Sequence, residues 1–228
     1  MTESFPEKRS SSQAIASFLD KAEKLPAKRD VSGCRLVFAL DATASRQPTW
    51  DQARALHGEM FDASKTLGGL SIQLCYYRGL GQFHASPWGR SPGQLHDEMV
   101  SVRCAAGYTQ IHTLLRHCLA EHQQEKLKAV IFIGDAVEES VDALCGLAGE
   151  CGLRQLPLFL FQEGSDGDVT RVFKRLAKLS GGAYARFDAA SAAQLRDLLR
   201  AVASYASGGV DALRKLQDNA ARHLLEQL

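Results

Sequence analysis

The sequence predicts a three-layer, doubly wound α/β fold. Its sheet is mostly parallel and six-stranded, with one antiparallel edge strand. Three observations carry this. Short apolar runs such as CRLVFALD and KAVIFIGDA have the look of strands buried on both faces. Segments with apolar residues at helical spacing lie between them. The two kinds alternate from residue 35 to residue 206, the pattern of parallel strands joined by crossover helices.

A chain of 228 residues can hold one such domain with a full core and small additions. Hydrophobic residues at 45% and charged residues at 23% are ordinary globular values. A formal net charge of +1 gives no field to attract nucleic acid or a membrane surface. The polar start, MTESFPEKRSSSQ, carries no signal-peptide or lipid-anchor pattern, and no unbroken apolar run of about 18 residues follows. The expectation is a cytoplasmic protein with no nucleic-acid or membrane partner. The six cysteines form no C-x-x-C pair and several sit in apolar runs. They are expected as buried free thiols, with redox sensing by Cys145 and Cys151 as the alternative.

The elements follow in order. Residues 12 to 25 place Ile15, Phe18, Leu19, Ala22 and Leu25 on one helical face. CRLVFALD is the first strand. After the loop ATASRQPTW, a helix is expected from about 51 to 67, stopped by Gly68 and Gly69. LSIQLCYY is the second strand. QFHASPW returns antiparallel at the sheet edge after a turn at Arg78 to Gly81, and Pro87 is expected to end its pairing. A short helix spans 93 to 102, and a longer one runs from Thr109 to about Gln124 with Ile111, Leu114, Leu115, Cys118 and Leu119 inward. KAVIFIGDA is a strand and EESVDALCGLAGECG a helix closed by glycine. LPLFLFQEG, DVTRVFKRLAKLSGG, AYARFDA and SAAQLRDLLRAVASYASGG continue as strand, helix, strand and helix. A tail helix follows Gly208 and Gly209. The expected division is a helical extension over 1–30, the α/β domain over 31–207, and an amphipathic helix over 208–228.

Two strands end in an acid, Asp41 and Asp135. In open α/β sheets, ligands bind beyond the carboxyl ends of the strands where strand order reverses. Thr43 and Ser45 follow Asp41 at alternate positions, so an extended chain would point both hydroxyls one way and turn Ala42 and Ala44 aside. Thr109 opens the helix before the GDA strand. If these loops meet, two carboxylates and three hydroxyls converge, with no obvious cysteine or histidine among them. Hard oxygen donors of that kind suit Mg²⁺, Mn²⁺ or Ca²⁺.

The pattern resembles the von Willebrand factor A domain and its metal-ion-dependent adhesion site. That family's motif is Asp-x-Ser-x-Ser after the first strand, a distant Thr, and an Asp after a later strand. The matching positions are Asp41, Thr43, Ser45, Thr109 in GYTQI and Asp135 in FIGDAVEE. Thr43 keeps the hydroxyl of the usual Ser but is stiffer at χ1. Ala136 stands where the family commonly has Gly. The resemblance implies a metal held mainly by hydroxyls, with one coordination position left for a Glu or Asp of a protein partner. It extends to the bacterial intracellular type, whose members often work beside AAA-type ATPases or in multi-protein complexes. Trp50, just past the motif, is a candidate partner contact.

Other readings of the same residues exist. Asp135 could cap a helix starting at Val137, and Thr109 could cap its own. Asp41 could be the nucleophile of a Mg²⁺-dependent phosphotransferase or phosphatase, although position 43 is Thr where a second acid is usual and no Lys follows these strand ends. His112, His117 and His122 lie five apart, so they spread round a helix and form no ligand set. The tail face of Leu213, Leu216, Ala220 and Leu224 could serve docking or could pack on its own domain.

Overall fold

Strand β1 (Cys34–Asp41) is the centre of a six-stranded sheet whose order is β3-β2-β1-β4-β5-β6. The others are β2 (Leu70–Arg78), β3 (Gln82–Ala85), β4 (Leu127–Gly134), β5 (Leu158–Glu163) and β6 (Ala183–Phe187). Every neighbouring pair is parallel except β2 and β3. The helices with both ends among the described residues are α1 (Ile111–Gln124), α2 (Val141–Leu153), α3 (Gly167–Ser180), α4 (Ala192–Lys215) and α5 (Asn219–Leu225). This computed structural model describes residues 34–46, 70–89, 97–98, 101–187 and 192–228. All of them belong to one compact unit, 33–228. The expected helices over 12–25 and 51–67, and Trp50, lie outside the described residues. So does most of the 93–102 segment, of which 97–98 and 101 are helical.

The apolar runs work because every second residue faces the opposite layer. Leu36, Phe38 and Leu40 of β1, with Ile131 and Ile133 of β4, pack against Leu198, Leu199 and Val202 of α4. Val37 and Ala39, with Val130 and Phe132, pack on the other side against α1, α2 and α3. Phe132 meets Phe173 of α3 edge-on at 5.7 Å between ring centroids. Full burial of each such side chain stabilises by about 1.5–3 kcal/mol. Cys75, Cys118, Cys145 and Cys151 are buried and free, and burial pushes the Cys75 and Cys118 thiols well up and that of Cys151 to about 12. Thiols so far from ionising are poor redox sensors.

Four details differ from the sequence reading. Pro87 interrupts edge pairing without ending it. Ser86 bonds Leu74 through its own N–H (2.8 Å) and hydroxyl (3.0 Å), and Gly89 then exchanges two backbone bonds with Ile72. Helix α2 starts at Val141, capped by Ser140, and the left-handed residue after it is Gln155 (φ 60°) and not a glycine. Gly152 serves packing instead, since a Cβ there would lie 2.2 Å from the Leu179 carbonyl oxygen. The tail is also not one helix. Gly208 and Gly209 kink α4, and Asp218 caps a separate α5 through Ala221 N–H at 2.7 Å.

The tail face is therefore not free for docking. Leu213 and Leu224 are fully buried in the same core as β1, and Leu216 and Ala220 pack against it. Arg200 of α4 holds Asp218 at 2.7 Å. The amphipathic pattern over 208–228 belongs to the domain's own packing.

Candidate metal centre

The chain leaves β1 to pair with β2 on one side, and β4 later joins β1 on the other. The crevice at this reversal lies beyond the carboxyl ends of β1 and β4. Asp41 ends β1 and is fully buried. Its Oδ1 accepts the Thr43 N–H at 2.8 Å, and its Oδ2 accepts the Tyr77 hydroxyl at 3.1 Å. The first bond is the local Asx contact that turns a chain back on itself.

That turn brings the Thr43 and Ser45 hydroxyls to 3.2 Å of each other. They converge through a 3-10 turn, Ala44–Arg46, and not through the extended chain the spacing predicts. Ala42 is buried behind the loop as expected, but Ala44 lines the crevice beside its neighbours.

A second loop closes over the first. Ala105 donates its N–H to Ala42 O at 3.1 Å and accepts Gly79 N–H at 3.4 Å, which ties it to the ends of β1 and β2. Gly107 passes so near β2's end that a Cβ would lie 1.9 Å from the Gly79 carbonyl oxygen. Only glycine fits there. The loop delivers Thr109, which is 5% exposed. Thr109 does not cap α1, whose N-cap residue is Gln110. Its N–H donates to Glu138 Oε2 at 2.9 Å, and its Oγ1 accepts Glu138 N–H at 3.0 Å. Glu139 caps α1 from outside, accepting Ile111 N–H (2.6 Å) and His112 N–H (2.8 Å).

Asp135 is the first residue beyond β4. It does not cap a helix either, since α2 begins at Val141 under Ser140. Among the described residues, its Oδ1 is one of two buried side-chain atoms with no hydrogen-bond partner, the other being Arg200 Nε. A buried carboxylate oxygen left without a donor costs about 1–3 kcal/mol or more.

These pieces surround one cavity of about 370 Å³. Thr43, Ser45, Thr109 and Asp135 line it, with Gly107 and Glu138. Asp41 stands directly behind it, bonded to Thr43. Sequence reasoning missed Glu138, Glu139 and Tyr77. The Glu-Glu pair just past GDA was a visible signal for the first two. Tyr77 carried none, since its partner is 36 residues away.

The donor set fits a hard divalent cation. Thr43, Ser45 and Thr109 line one cavity with Asp135, whose Oδ1 is unsatisfied, and oxygen-only donors match Mg²⁺, Mn²⁺ or Ca²⁺. No cluster of three or more His, Cys, Asp or Glu able to hold a metal occurs among the described residues. A site here would depend on hydroxyls, with carboxylates behind them to orient bound water. Two histidines of α1 have structural work instead. His117 Nε2 lies 2.8 Å from Gln73 Oε1. His122 spans Arg154 O (3.1 Å) and Leu127 N–H (3.1 Å).

No known family's sequence profile matches the chain, and no curated protein matches it in sequence. Solved structures do. A von Willebrand factor type A protein from Catenulispora acidiphila superposes with a TM-score of 0.57 at 15% identity, over 78% of this chain and 43% of that one. An aerotolerance-related membrane protein from Bacteroides fragilis gives 0.57 at 16% identity, over 74% of this chain and 98% of that one. Proximal thread matrix protein 1 of the mussel byssus, solved with a zinc-occupied metal-ion-dependent adhesion motif, gives 0.59 at 12% identity, over 75% and 47%. The chain thus spans nearly all of the second protein but less than half of the other two. With its central β1, its antiparallel β3 edge and helices on both faces, this chain has the fold of the von Willebrand factor A domains.

Proposed function

We propose that the protein is a protein–protein interaction module, with no catalytic activity of its own, which binds partners through a divalent cation. Thr43, Ser45 and Thr109 would hold the cation with their hydroxyls. Asp41 and Asp135 would supply negative charge and hold its waters. The cation supplies an electrophilic position for an outside carboxylate, so the partner presents an Asp or Glu. Mg²⁺ is the favoured ion by donor chemistry, with Mn²⁺ or Ca²⁺ as substitutes.

The observation that carries this reading is that Asp135, whose Oδ1 has no hydrogen-bond partner, lines one cavity with Thr43, Ser45 and Thr109. A positive partner at the site would satisfy a polar group so placed. The two structural explanations by helix capping do not apply to Asp135 or Thr109. The mussel protein with zinc in the corresponding kind of motif supports the plausibility of the site.

The rival reading, a phosphotransferase with Asp41 as nucleophile, is disfavoured by burial. Both Asp41 oxygens accept hydrogen bonds, and Asp41 does not line the cavity. A nucleophile must present a free oxygen to its substrate. The partner is proposed to be an AAA-type ATPase or a component of a multi-protein complex in the bacterial cytoplasm. No helix among the described residues is long and apolar enough to cross a membrane.

The test is Mn²⁺ binding, read by electron paramagnetic resonance, in the wild type and in Thr43→Ala/Ser45→Ala. Saturable binding competed by Mg²⁺ and lost in the variant supports the reading. Equal binding by both proteins contradicts it. Co-purification of a partner that EDTA releases, and that the variant fails to hold, would extend the result to function. Acyl phosphate formed on Asp41 from acetyl phosphate would restore the enzyme reading.

A further inference from the structure

Strand β6 is the sheet edge opposite β3, three strand spacings or about 15 Å from β1. Its open side is occupied by side chains that imitate a neighbouring strand. Gln227 accepts the Tyr184 N–H at 2.9 Å and donates to the Tyr184 carbonyl at 2.9 Å. One amide group thus makes the paired contacts that one residue of an added strand would make. His223 Nε2 lies 3.0 Å from the same carbonyl. Two residues on, Gln194 donates to the Arg186 carbonyl at 3.1 Å. The alternation of Tyr184 and Arg186 is that of residues facing one side of a strand.

Beside this edge runs a cavity of about 980 Å³ between α3, β6, α4 and α5. Lys174, Lys178 and Arg186 line it. Lys174 Nζ stands 5.4 Å from the centre of the Tyr184 ring. Among the described residues, no acid pairs with any of these three cations. Of the acids in the lining, Asp197 already lies 3.5 Å from Arg200 and 3.8 Å from Arg196. Glu226 is the remaining acid. The charge left over in the groove is positive.

We propose that this groove is a second binding site, which takes an extended acidic peptide as an added strand on β6. The peptide displaces Gln227 and His223 from Tyr184 and Gln194 from Arg186, and places its carboxylates against Lys174, Lys178 and Arg186. Backbone pairing gives affinity and the three cations give selectivity. Exposed edges invite pairing of this kind, and Gln227 keeps the edge closed to strands that bring no matching charge. A second copy of this chain is disfavoured as occupant, because it would bring the same three cations to the same edge.

The test uses the full chain and two short fluorescent probes, one alternating Glu and Val, the other alternating Lys and Val, read by anisotropy. The Glu-Val probe is expected to bind, and the Lys-Val probe to bind at least about tenfold more weakly. Gln227→Ala removes the competing amide and should tighten Glu-Val binding by up to about tenfold. Lys174→Glu/Lys178→Glu changes two exposed side chains, keeps the fold, and should weaken it by at least about tenfold. EDTA should leave binding unchanged, which separates this surface from the cation site. Equal affinity for both probes, no loss in the double variant, or no binding to Gln227→Ala would overturn the proposal. So would dimerisation of Gln227→Ala in light scattering without probe binding, which would make the edge a self-pairing surface.

Discussion

Thr109 and Glu138 exchange two hydrogen bonds across 29 residues of sequence, each giving its backbone N–H to the other's side chain, at 2.9 and 3.0 Å. This pair joins the loop before α1 to the loop after β4. Thr109 Oγ1 keeps a lone pair for a second contact, since a hydroxyl can accept twice.

Glu138→Ala should therefore loosen Thr109 without disturbing the core. The variant loses the bond from Thr109 N–H to Glu138 Oε2 and keeps the bond from its own backbone N–H to Thr109 Oγ1, at an expected cost of about 1 kcal/mol. Affinity for Mg²⁺ should fall several-fold, because Thr109 loses one of its two anchors and the cavity loses a carboxylate from its lining. Chemical denaturation and Mn²⁺ titration of the same variant check both effects. Unchanged metal affinity would show that the Glu138 carboxylate does not support the site.

Tyr77→Phe tests the support behind the motif. The Tyr77 hydroxyl donates to Asp41 Oδ2 from a fully buried ring. Removing it takes one donor from a buried carboxylate, with an expected loss of about 1–3 kcal/mol. The volume is nearly conserved, so packing contributes little. Urea denaturation measures the loss, and a change below about 0.5 kcal/mol would show that Asp41 is held adequately by its other contacts.

Most of the fold was legible in the sequence. The strands that carry it are wholly apolar runs, and burial on both faces leaves a strong signal. Asp41 and Asp135 could be placed at strand ends for the same reason, because each stops such a run. The tail was harder. The pattern of Leu213 to Leu224 fits one helix, yet Asp218 caps a new one after a break, and capping at close range overrides periodicity. The spacing of Thr43 and Ser45 suggested extended chain. The Asx bond from Asp41 made a 3-10 turn with the same convergence. What sequence could not show was contact across distance, such as Tyr77 with Asp41 or Gln227 with Tyr184.

Gly107→Ala should be disruptive beyond its size. The new Cβ would meet the Gly79 carbonyl oxygen at 1.9 Å, backbone against backbone. Relief requires moving the loop that carries Thr109. Overpacking of this kind costs about 1–3 kcal/mol. Thermal unfolding should show the loss, and Mg²⁺ should stabilise the variant less than the wild type. A wild-type melting temperature would mean the loop adapts freely.

Acid should destabilise the protein through α1. Burial lowers the pKa of His122 from its ordinary 6.5, and the bond from Leu127 N–H to Nδ1 needs the neutral ring. Burial also lowers the pKa of His117. A group with a lowered histidine pKa takes up its proton more readily when unfolded. Its contribution to stability is full above about pH 6.5 and falls as pH drops through that value. Denaturation midpoints from pH 8 to about pH 5 should decline, and less so in His122→Gln. Parallel declines in both proteins would remove His122 from the account.

The central claim is that Asp135 awaits a cation, and thermal unfolding of Asp135→Ala tests it most directly. The substitution removes an unpartnered buried oxygen and a charge near Asp41, so in EDTA the variant should be as stable as the wild type or more so, by about 1 kcal/mol. Millimolar Mg²⁺ should then raise the melting temperature of the wild type, by an amount that grows with the logarithm of its concentration, and leave the variant unmoved. A variant less stable than the wild type in EDTA and equally stabilised by Mg²⁺ would contradict the account, because Asp135 would then be a structural residue and the ion would bind elsewhere.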